Sequence, residues 1–505
     1  MQRELEYKVE LRAADVAALE QAAMPDGLSA GPMKSEKLRS VYFDTPEHDL
    51  RAAGISLRVR HHANGCVQTV KANQTVDGIS NPIEAEAPVA SEDPDLKKIP
   101  NKKLRRMVEK ACKGTTLHPV FETVVRRSTR KITTNDAEVE LAVDQGEVCA
   151  GTSKMELSEA EFELKAGSAE GLLSAAERLL DGHAFQASRR SKAERGYQLA
   201  LGKQGTHTEP EKARAPLIRR SETSRSALAA VLQSTTRQVL VNRRAVLETA
   251  DPQAAHQLRI GLRRLRSALR ALRPVADGHS LRSFERCARD FGRCVGQLRD
   301  ADVLLSDLIA PVEAGADDKE GFATLRAALE DHRESRREDV RAALQGPAWT
   351  KLQLYLTLWP RTLEEHRDLD RPITKHAREV AKKAWKKPAK LGRDIDTLNG
   401  ARRHEMRKAL KKLRYSCELF APVLPRRKTK RFLTELKVLQ DVFGYVNDAR
   451  MATKVIEIQQ EQQAGRPAAV AAGYVVGTHK AEARHVWKGA HAAWKKLNDL
   501  PRPWA

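Results

Sequence analysis

Cysteine is scarce in this 505-residue chain. There are six, Cys66, Cys112, Cys149, Cys287, Cys294 and Cys417, and none belongs to a CxxC pair. That excludes a dense disulfide framework and fits a reducing compartment. No apolar run approaches the roughly 18 residues that would span a bilayer. The longest candidate, 468–476, is short and interrupted by glycine. The first residues, MQRELEYKVEL, lack the apolar stretch of a signal peptide. These absences give the expectation of a soluble, cytoplasmic protein with no membrane partner. Aromatic residues are also few, at 5%.

Charge is abundant and unevenly placed. The net charge is +22. Residues 1–205 hold 30 Lys+Arg against 31 Asp+Glu, so the whole excess lies beyond them. A basic excess confined to one part of a chain points to a polyanionic partner for that part.

Residues 1–200 read as strands with a few helices. Short alternating segments recur at 5–11, 56–60, 67–71, 83–89, 120–127, 137–143 and 159–165, with turn residues near most ends. Residues 13–24 and 169–181 have helical spacing. A small, polar, Pro-bearing stretch follows, and from about 218 the pattern is helical, with breaks near Pro274, Pro311, Pro347, Pro360, Pro422 and Pro467. This gives a strand domain over 1–202, a linker over 203–217 and a helical domain over 218–505.

The helical part repeats itself. His256-Gln-Leu-Arg-Ile-Gly-Leu-Arg-Arg-Leu-Arg aligns with His404-Glu-Met-Arg-Lys-Ala-Leu-Lys-Lys-Leu-Arg at an offset of 148, and the same offset carries Gly296 onto Gly444 and Asp300 onto Asp448. Two similar halves, about 218–345 and 346–505, follow, related by a pseudo-twofold axis.

Residues two apart in a strand share a face. Glu4, Glu6 and Lys8 align, as do Arg58 and Arg60, Glu84 and Glu86, the set Glu138, Glu140 and Asp144, and the row Glu159, Glu161, Glu163 and Lys165. Apolar residues hold the alternate positions. One such strand is an ordinary half-solvated strand. Many together stack like charges on one face, which repel unless cations sit among them. If the charged face turns inward, carboxylates can hold a hard divalent cation, and Arg and Lys can clamp phosphate oxygens.

Here the chain resembles the CYTH superfamily, the triphosphate tunnel metalloenzymes. Glu4-x-Glu6-x-Lys8 is similar to its ExExK signature. Tyr42-Phe43-Asp44-Thr45-Pro46, Leu57-Arg58-Val59-Arg60 and Gln68-Thr69-Val70-Lys71 follow its pattern, as do Arg127, the later acidic strands and Ser191-Lys192-Ala193-Glu194-Arg195. Pro82 departs from it, standing where the family often has Arg. The resemblance implies an eight-stranded antiparallel β-barrel tunnel that binds triphosphate with Mg²⁺ or Mn²⁺. Carried over, the metal candidates are Glu4, Glu6, Glu140, Asp144, Glu161 and Glu163. The triphosphate candidates are Lys8, Arg58, Arg60, Lys71, Arg127, Lys165, Lys192 and Arg195. Glu4, Glu6, Lys8, Lys71 and Lys165 are the expected catalytic set.

In the helical part, Arg259, Arg263, Arg266, Arg270 and Arg273 recur at heptad-like spacing beside a leucine stripe. The second copy repeats this with Arg407, Lys411 and Arg414. Same-sign stripes repel, and a phosphate polymer between them would relieve the repulsion and release counterions. His256 and His404 open the two stripes, as neutral hydrogen-bond partners, phosphate ligands or core residues. Residues 218–505 resemble the CHAD domain, which implies an all-α pair of four-helix bundles binding inorganic polyphosphate. The candidate contacts are His256, Arg259, Arg263, Arg264, Arg266, His404, Arg407, Lys408, Lys411, Lys412 and Arg414. Asp300, Asp302 and Asp448 read as structural partners of arginines.

The sequence therefore reads as an α+β protein, a metal-dependent inorganic triphosphatase joined to a polyphosphate-binding domain, with association with polyphosphate granules left open. The alternative is a non-catalytic polyphosphate binder whose tunnel does not turn substrate over. Single-strand nucleic-acid readers interleave aromatics with charge, and the stripes lack them; a backbone-only contact to duplex stays open.

Overall fold

The computed structural model describes residues 5–62, 65–72, 79–80, 83–183, 185–188, 191–202 and 209–505. Glu4 and Pro82 lie outside the described residues. The chain forms two compact units. One contains residues 1–206 and 345–365, the other residues 207–344 and 366–505.

The first unit is built on one antiparallel sheet. Its strands are β1 (Leu5–Leu11), β2 (Ser29–Ala30), β3 (Lys34–Asp44), β4 (Ile55–His62), β5 (Gly65–Ala72), β6 (Ile79–Ser80), β7 (Ile83–Val89), β8 (His118–Thr133), β9 (Ala137–Ala150), β10 (Ser153–Gly167) and β11 (Phe185–Ala187). The order is β11-β1-β10-β9-β8-β3-β4-β5-β7, with β2 on β8 and β6 on β1. This differs from the closed eight-stranded barrel expected from the resemblance: among the described residues the sheet has eleven strands and its path is open. The free edge of β1 is shared by β11, at Val9–Leu11, and β6, at Glu6 and Tyr7.

The expected facing of the strands holds. Tyr7, Val9, Leu57, Val59, Val139, Leu141 and Phe162 are fully buried. Around β3 to β5 the apolar cluster is completed by Leu104, Val108 and Cys112 of α3 (Lys102–Cys112). Helix α1 (Ala13–Gln21) lies on β9 and β10, as does α4 (Ala169–Leu179). The Asp44 carboxylate is wholly buried and accepts the N–H groups of Thr45, Leu50 and Arg51 and the hydroxyl of Tyr197. It thereby fixes the turn into α2 (Asp49–Ala52), so the Asp of the YFDTP run is structural. Helix α5 (Lys192–Leu201) starts with a capping box between Ser191 and Glu194 and seats Ala193 and Tyr197 against Tyr42 and Phe121.

The second unit contains α6 (Ser224–Glu248), α7 (Pro252–Ala276), α8 (His279–Val303), α9 (Ala310–Ala314) and α10 (Lys319–Gln345). After α11 (Pro347–Thr362) it continues with α12 (Ile373–Gly392), α13 (Gly400–Leu419), α14 (Arg426–Glu461), α15 (Gly465–Trp487) and α16 (Ala490–Asn498). The offset of 148 read from the sequence carries α6, α7, α8 and α10 onto α12, α13, α14 and α15. Where paired helices begin, Ser224 N–H bonds to Arg371 O at 2.8 Å and Ile373 N–H to Glu222 O at 3.1 Å. This reciprocal pair is what a local twofold produces. The copies are unequal after Val303: the first turns through a π-helical segment, Leu304–Ile309, where α14 runs straight. One π-helical carbonyl, Leu308 O, lies 2.9 Å from His479 Nε2.

Residues 345–365, assigned to the helical domain from sequence, belong with the strand unit. Helix α11 is buried on nearly every side, at Trp349, Leu352, Leu354, Tyr355, Leu356, Leu358 and Trp359. It packs on α4 and β11. Tyr355 Oη donates to Glu177 at 2.9 Å, Lys351 pairs with the same carboxylate, and Glu365 accepts the N–H of Ala169 at the start of α4.

A side chain on Gly196 would place its Cβ 2.1 Å from the Phe121 ring, itself stacked on Tyr42. Gly196→Ala is expected to destabilise the strand unit by about 1–3 kcal/mol, read as a lowered denaturation midpoint.

Candidate functional site

The charged face of the sheet lines a cavity of about 100 Å³. Its walls carry Glu6 and Lys8 from β1, Arg58 and Arg60 from β4, Lys71 from β5, Arg127 from β8, Glu161 from β10 and Lys192 from α5. Eight of the residues singled out from the sequence thus meet in one place. Strand alternation aims them inward, and antiparallel register sets them side by side: Lys8 faces Glu161, and Arg127 faces Asp144, which faces Glu159.

Two electrostatic regions meet there. On the β9–β10 side, Asp144, Glu159 and Glu161 place carboxylate oxygens within 4.8 Å of one another. Lys192 reaches all three, at 2.7 Å from Asp144, 3.0 Å from Glu161 and in direct contact with Glu159. Arg127 makes a two-pronged contact with Asp144, at 2.7 and 2.6 Å, and bonds Glu161 at 3.0 Å. Lys8 is 2.5 Å from Glu161 and 3.2 Å from Glu6. Burial pushes the Asp144 and Glu161 carboxyls up, but Lys192 and the neighbouring cations outweigh it and hold both below the usual carboxylate range. The same partners raise Lys192 and Lys8 against their own desolvation.

The β4 side is cationic. Burial, Arg58 and Arg127 push the Arg60 guanidinium down to about 10. Burial raises the Tyr42 phenol, but Arg58, Lys192 and Arg60 outweigh it and leave it below its ordinary value. A wall that destabilises its own positive charge attracts an anion.

The remaining candidates fall elsewhere. Glu140, Glu163 and Lys165 form their own cluster, with Lys165 at 3.3 and 2.7 Å from the two carboxylates. Lys165 stays on the charged face with these carboxylates but is not part of the cavity lining. Asp144 lies wholly buried behind the cavity wall, and Arg195 bridges Glu10 and Glu159. Residues the sequence reading missed are Tyr42, Ser56, Thr69 and Ser191 on the lining and the buried Glu159. Ser56 and Thr69 alternate with Arg58 and Lys71, so strand periodicity carried their signal.

The helical unit divides its candidates. Helices α7 and α13 lie against each other. Lys411 feels Arg407, Arg263 and Arg259 and, with burial, is pushed down to about 8. His256 and His404 are each held below the ordinary histidine value by burial and surrounding cations. Arg259 donates to Gly296 O at 2.6 Å and is 3.4 Å from Asp300, the structural pairing expected of that aspartate. Arg263 lies over the Tyr415 ring. Arg264 turns to Gln238 and Arg214 O, and Arg414 to Glu418 and Gln440. Lys408 is exposed, and Arg266 and Lys412 line a separate cavity.

Residues 2–197 match the CYTH domain and residues 230–457 the CHAD domain. The chain is a CYTH–CHAD protein. An inorganic triphosphatase from Haemophilus influenzae is 31% identical over 164 residues, 32% of this chain and 46% of that protein, so the match spans about half of the relative's length. The crystal structure of the CHAD domain from Ricinus communis has 27% identity and a TM-score of 0.52, covering 58% of this chain and 98% of that one. Among the described residues of this CYTH–CHAD protein, no helix is long and apolar enough to cross a membrane.

Asp144 is fully buried against Arg127 and Lys192. Asp144→Asn leaves those cations partly unpaired and is expected to cost about 3–5 kcal/mol. The depressed carboxyl contributes stability above its unfolded value of about 4, and that stability is lost as pH falls through the lower folded value. Acid unfolding of the variant should be correspondingly flatter in that range.

Proposed function

We propose that the strand unit hydrolyses inorganic triphosphate with Mg²⁺ or Mn²⁺ and that the helical unit binds inorganic polyphosphate. The observation that carries the first part is the two-sided cavity, with carboxylates on β1 and β10 facing Arg58, Arg60 and Lys71. A triphosphate has anionic oxygens for the cationic wall and no base or other group needing an apolar pocket. The carboxylate side fits a hard cation: its donors are all oxygen, and buried Glu6 Oε1 has the Lys8 ammonium 3.2 Å away but no hydrogen bond to fill its lone pairs. Glu6 and Glu161, with Glu4, Asp144 and Glu163 near them in sequence or register, are the residues that would hold the ion. Bound there, it would supply charge neutralisation and polarisation of phosphate oxygens.

The chain's own residues then have distinct tasks. Arg58, Arg60 and Lys71 clamp the phosphates and stabilise charge on the departing pyrophosphate. Lys8 and Arg127 bridge the two walls, while Lys192 and Lys165 hold the carboxylates in place. The experiment is phosphate release from triphosphate with either metal. Arg58→Ala is expected to lower turnover about 10²–10³-fold, the loss typical of one charge-stabilising contact. Glu6→Gln should abolish metal-dependent release. A folded protein with no turnover that still binds polyphosphate would favour the non-catalytic reading.

For the helical unit, the supporting observation is the juxtaposition of Arg259 and Arg263 with Arg407 and Lys411. Lys411 is charged below about pH 8 and neutral above it. A polyanion stabilises the charged form, so binding should take up a proton near pH 8–9 and weaken as pH rises through about 8. Calorimetry in buffers of different ionisation enthalpy checks this, and Lys411→Arg should remove the dependence.

A further inference from the structure

The basic stripe of α7 does not serve one surface. Its first turns, Arg259 and Arg263, meet α13, but its later turns open into a cavity of about 520 Å³ walled by α7, α8, α12 and α13. Arg266, Arg270, Arg286, Lys383 and Lys412 line it, and among the described residues none of the five makes a hydrogen bond through its charged end or an ion pair. Arg273, Arg282 and Arg289 complete the ring and are paired with Glu285, Asp277 and Asp290. Eight cations thus surround one lining carboxylate, Glu285. Burial and the nearby Arg270 and Arg289 push Arg266 below its ordinary value, as mutual repulsion among these cations would.

Duplication separates this cavity from the facing stripes. At the offset of 148, Arg259 and Arg263 have basic counterparts in Arg407 and Lys411. Arg270, Arg273, Arg286 and Lys383 fall on Glu418, Ala421, Thr434 and Thr235. The facing stripes are therefore a twofold property of the unit. The cavity has a smaller counterpart of about 310 Å³, where Tyr415, Glu418, Leu419 and Pro422 stand at the positions of Ser267, Arg270, Ala271 and Pro274. Of the larger cavity's eight cations, only Arg266, Arg282, Arg289 and Lys412 keep basic equivalents at that offset. The larger cavity is concave and closed by four helices, and its size lies in the range of small-molecule pockets, about 300–1,000 Å³. No aromatic residue lines it, so nothing there would stack a nucleobase. Arginine predominates, the side chain suited to two-pronged phosphate contact.

We propose that this cavity is a second anion site, taking a compact ligand that carries several clustered phosphates and no base. The assignment rests on the proposed reading of the helical unit as a polyanion binder. Clustered phosphates could be presented by a small polyphosphorylated polyol or by the end of a polymer, and we assign the small ligand because the cavity is concave and its full set of cations is not repeated in the counterpart cavity.

The test is calorimetry on the full chain with two probes, inositol hexakisphosphate and long-chain polyphosphate. Arg270→Gln/Arg286→Gln is expected to weaken the compact probe by about tenfold or more, the worth of lost charge-assisted contacts, and to change polymer affinity little. Arg407→Gln/Lys411→Gln should do the reverse. An unaltered unfolding midpoint certifies each variant, and the exposed Lys383→Gln provides a milder one. No binding of the compact probe to the wild type, or equal loss in both variants, overturns the proposal. If Arg270→Gln/Arg286→Gln instead loses the polymer, the cavity belongs to the polymer path and the proposal falls while the polyphosphate reading stands. If neither probe binds the wild type, both fall.

Discussion

Everything about the strand unit turns on how charge is kept inside it. Asp144, Glu159 and Glu161 are removed from water within ångströms of each other, and a lone buried carboxylate would simply take up a proton. Lys192 and Arg127 make the ionised forms tolerable. Lys192 enters only because α5 closes over the sheet, α5 closes only because Gly196 lets Phe121 approach, and Phe121 in turn backs Tyr42 on the cavity wall. Fold and site are thus one set of constraints: the cations that permit the carboxylates to be buried line the same cavity as Arg58, Arg60 and Lys71.

The helical unit solves the opposite problem. Its net charge is positive, and among the described residues Arg263, Arg266, Arg270, Arg407 and Lys411 along α7 and α13 have no ion pair to neutralise them. Duplication places one basic stripe against another, which favours a symmetric and extended partner. Divergence between the copies, at the π-helical segment and on the α8 face, leaves features that symmetry did not produce.

Much of this was legible in residue order because period-two and heptad-like spacings are local. Alternation of charge and apolar side chains identified the inward face, and the repeated His-x-x-Arg run identified the duplication. What remained hidden depended on tertiary packing. Strand β3 lacks clean alternation because its first half is exposed on both faces. Glu159 reads like its neighbours in the acidic row, and only the docking of α5 makes it the buried member. Lys165 lies on the same charged face beside Glu140 and Glu163, and spacing alone does not say how far along that face the cavity runs. Closure of the sheet turns on how β6 and β11 meet the edge of β1, which no local spacing encodes. Helix α11 carried a visible sign, apolar side chains all round, but not the address of its partner surface.

That address matters for how the molecule can be cut. The chain passes between the two compact units three times, near residues 206, 344 and 365. A nick in the connecting stretch after α5 would therefore leave the amino-terminal fragment holding α11 through α4 and β11. Excising residues 1–202 would instead strip α4 and β11 of their cover and expose an apolar strip prone to self-association. The separable module is discontinuous in sequence, and inheritance of the strand unit without its neighbour requires another covering for that strip.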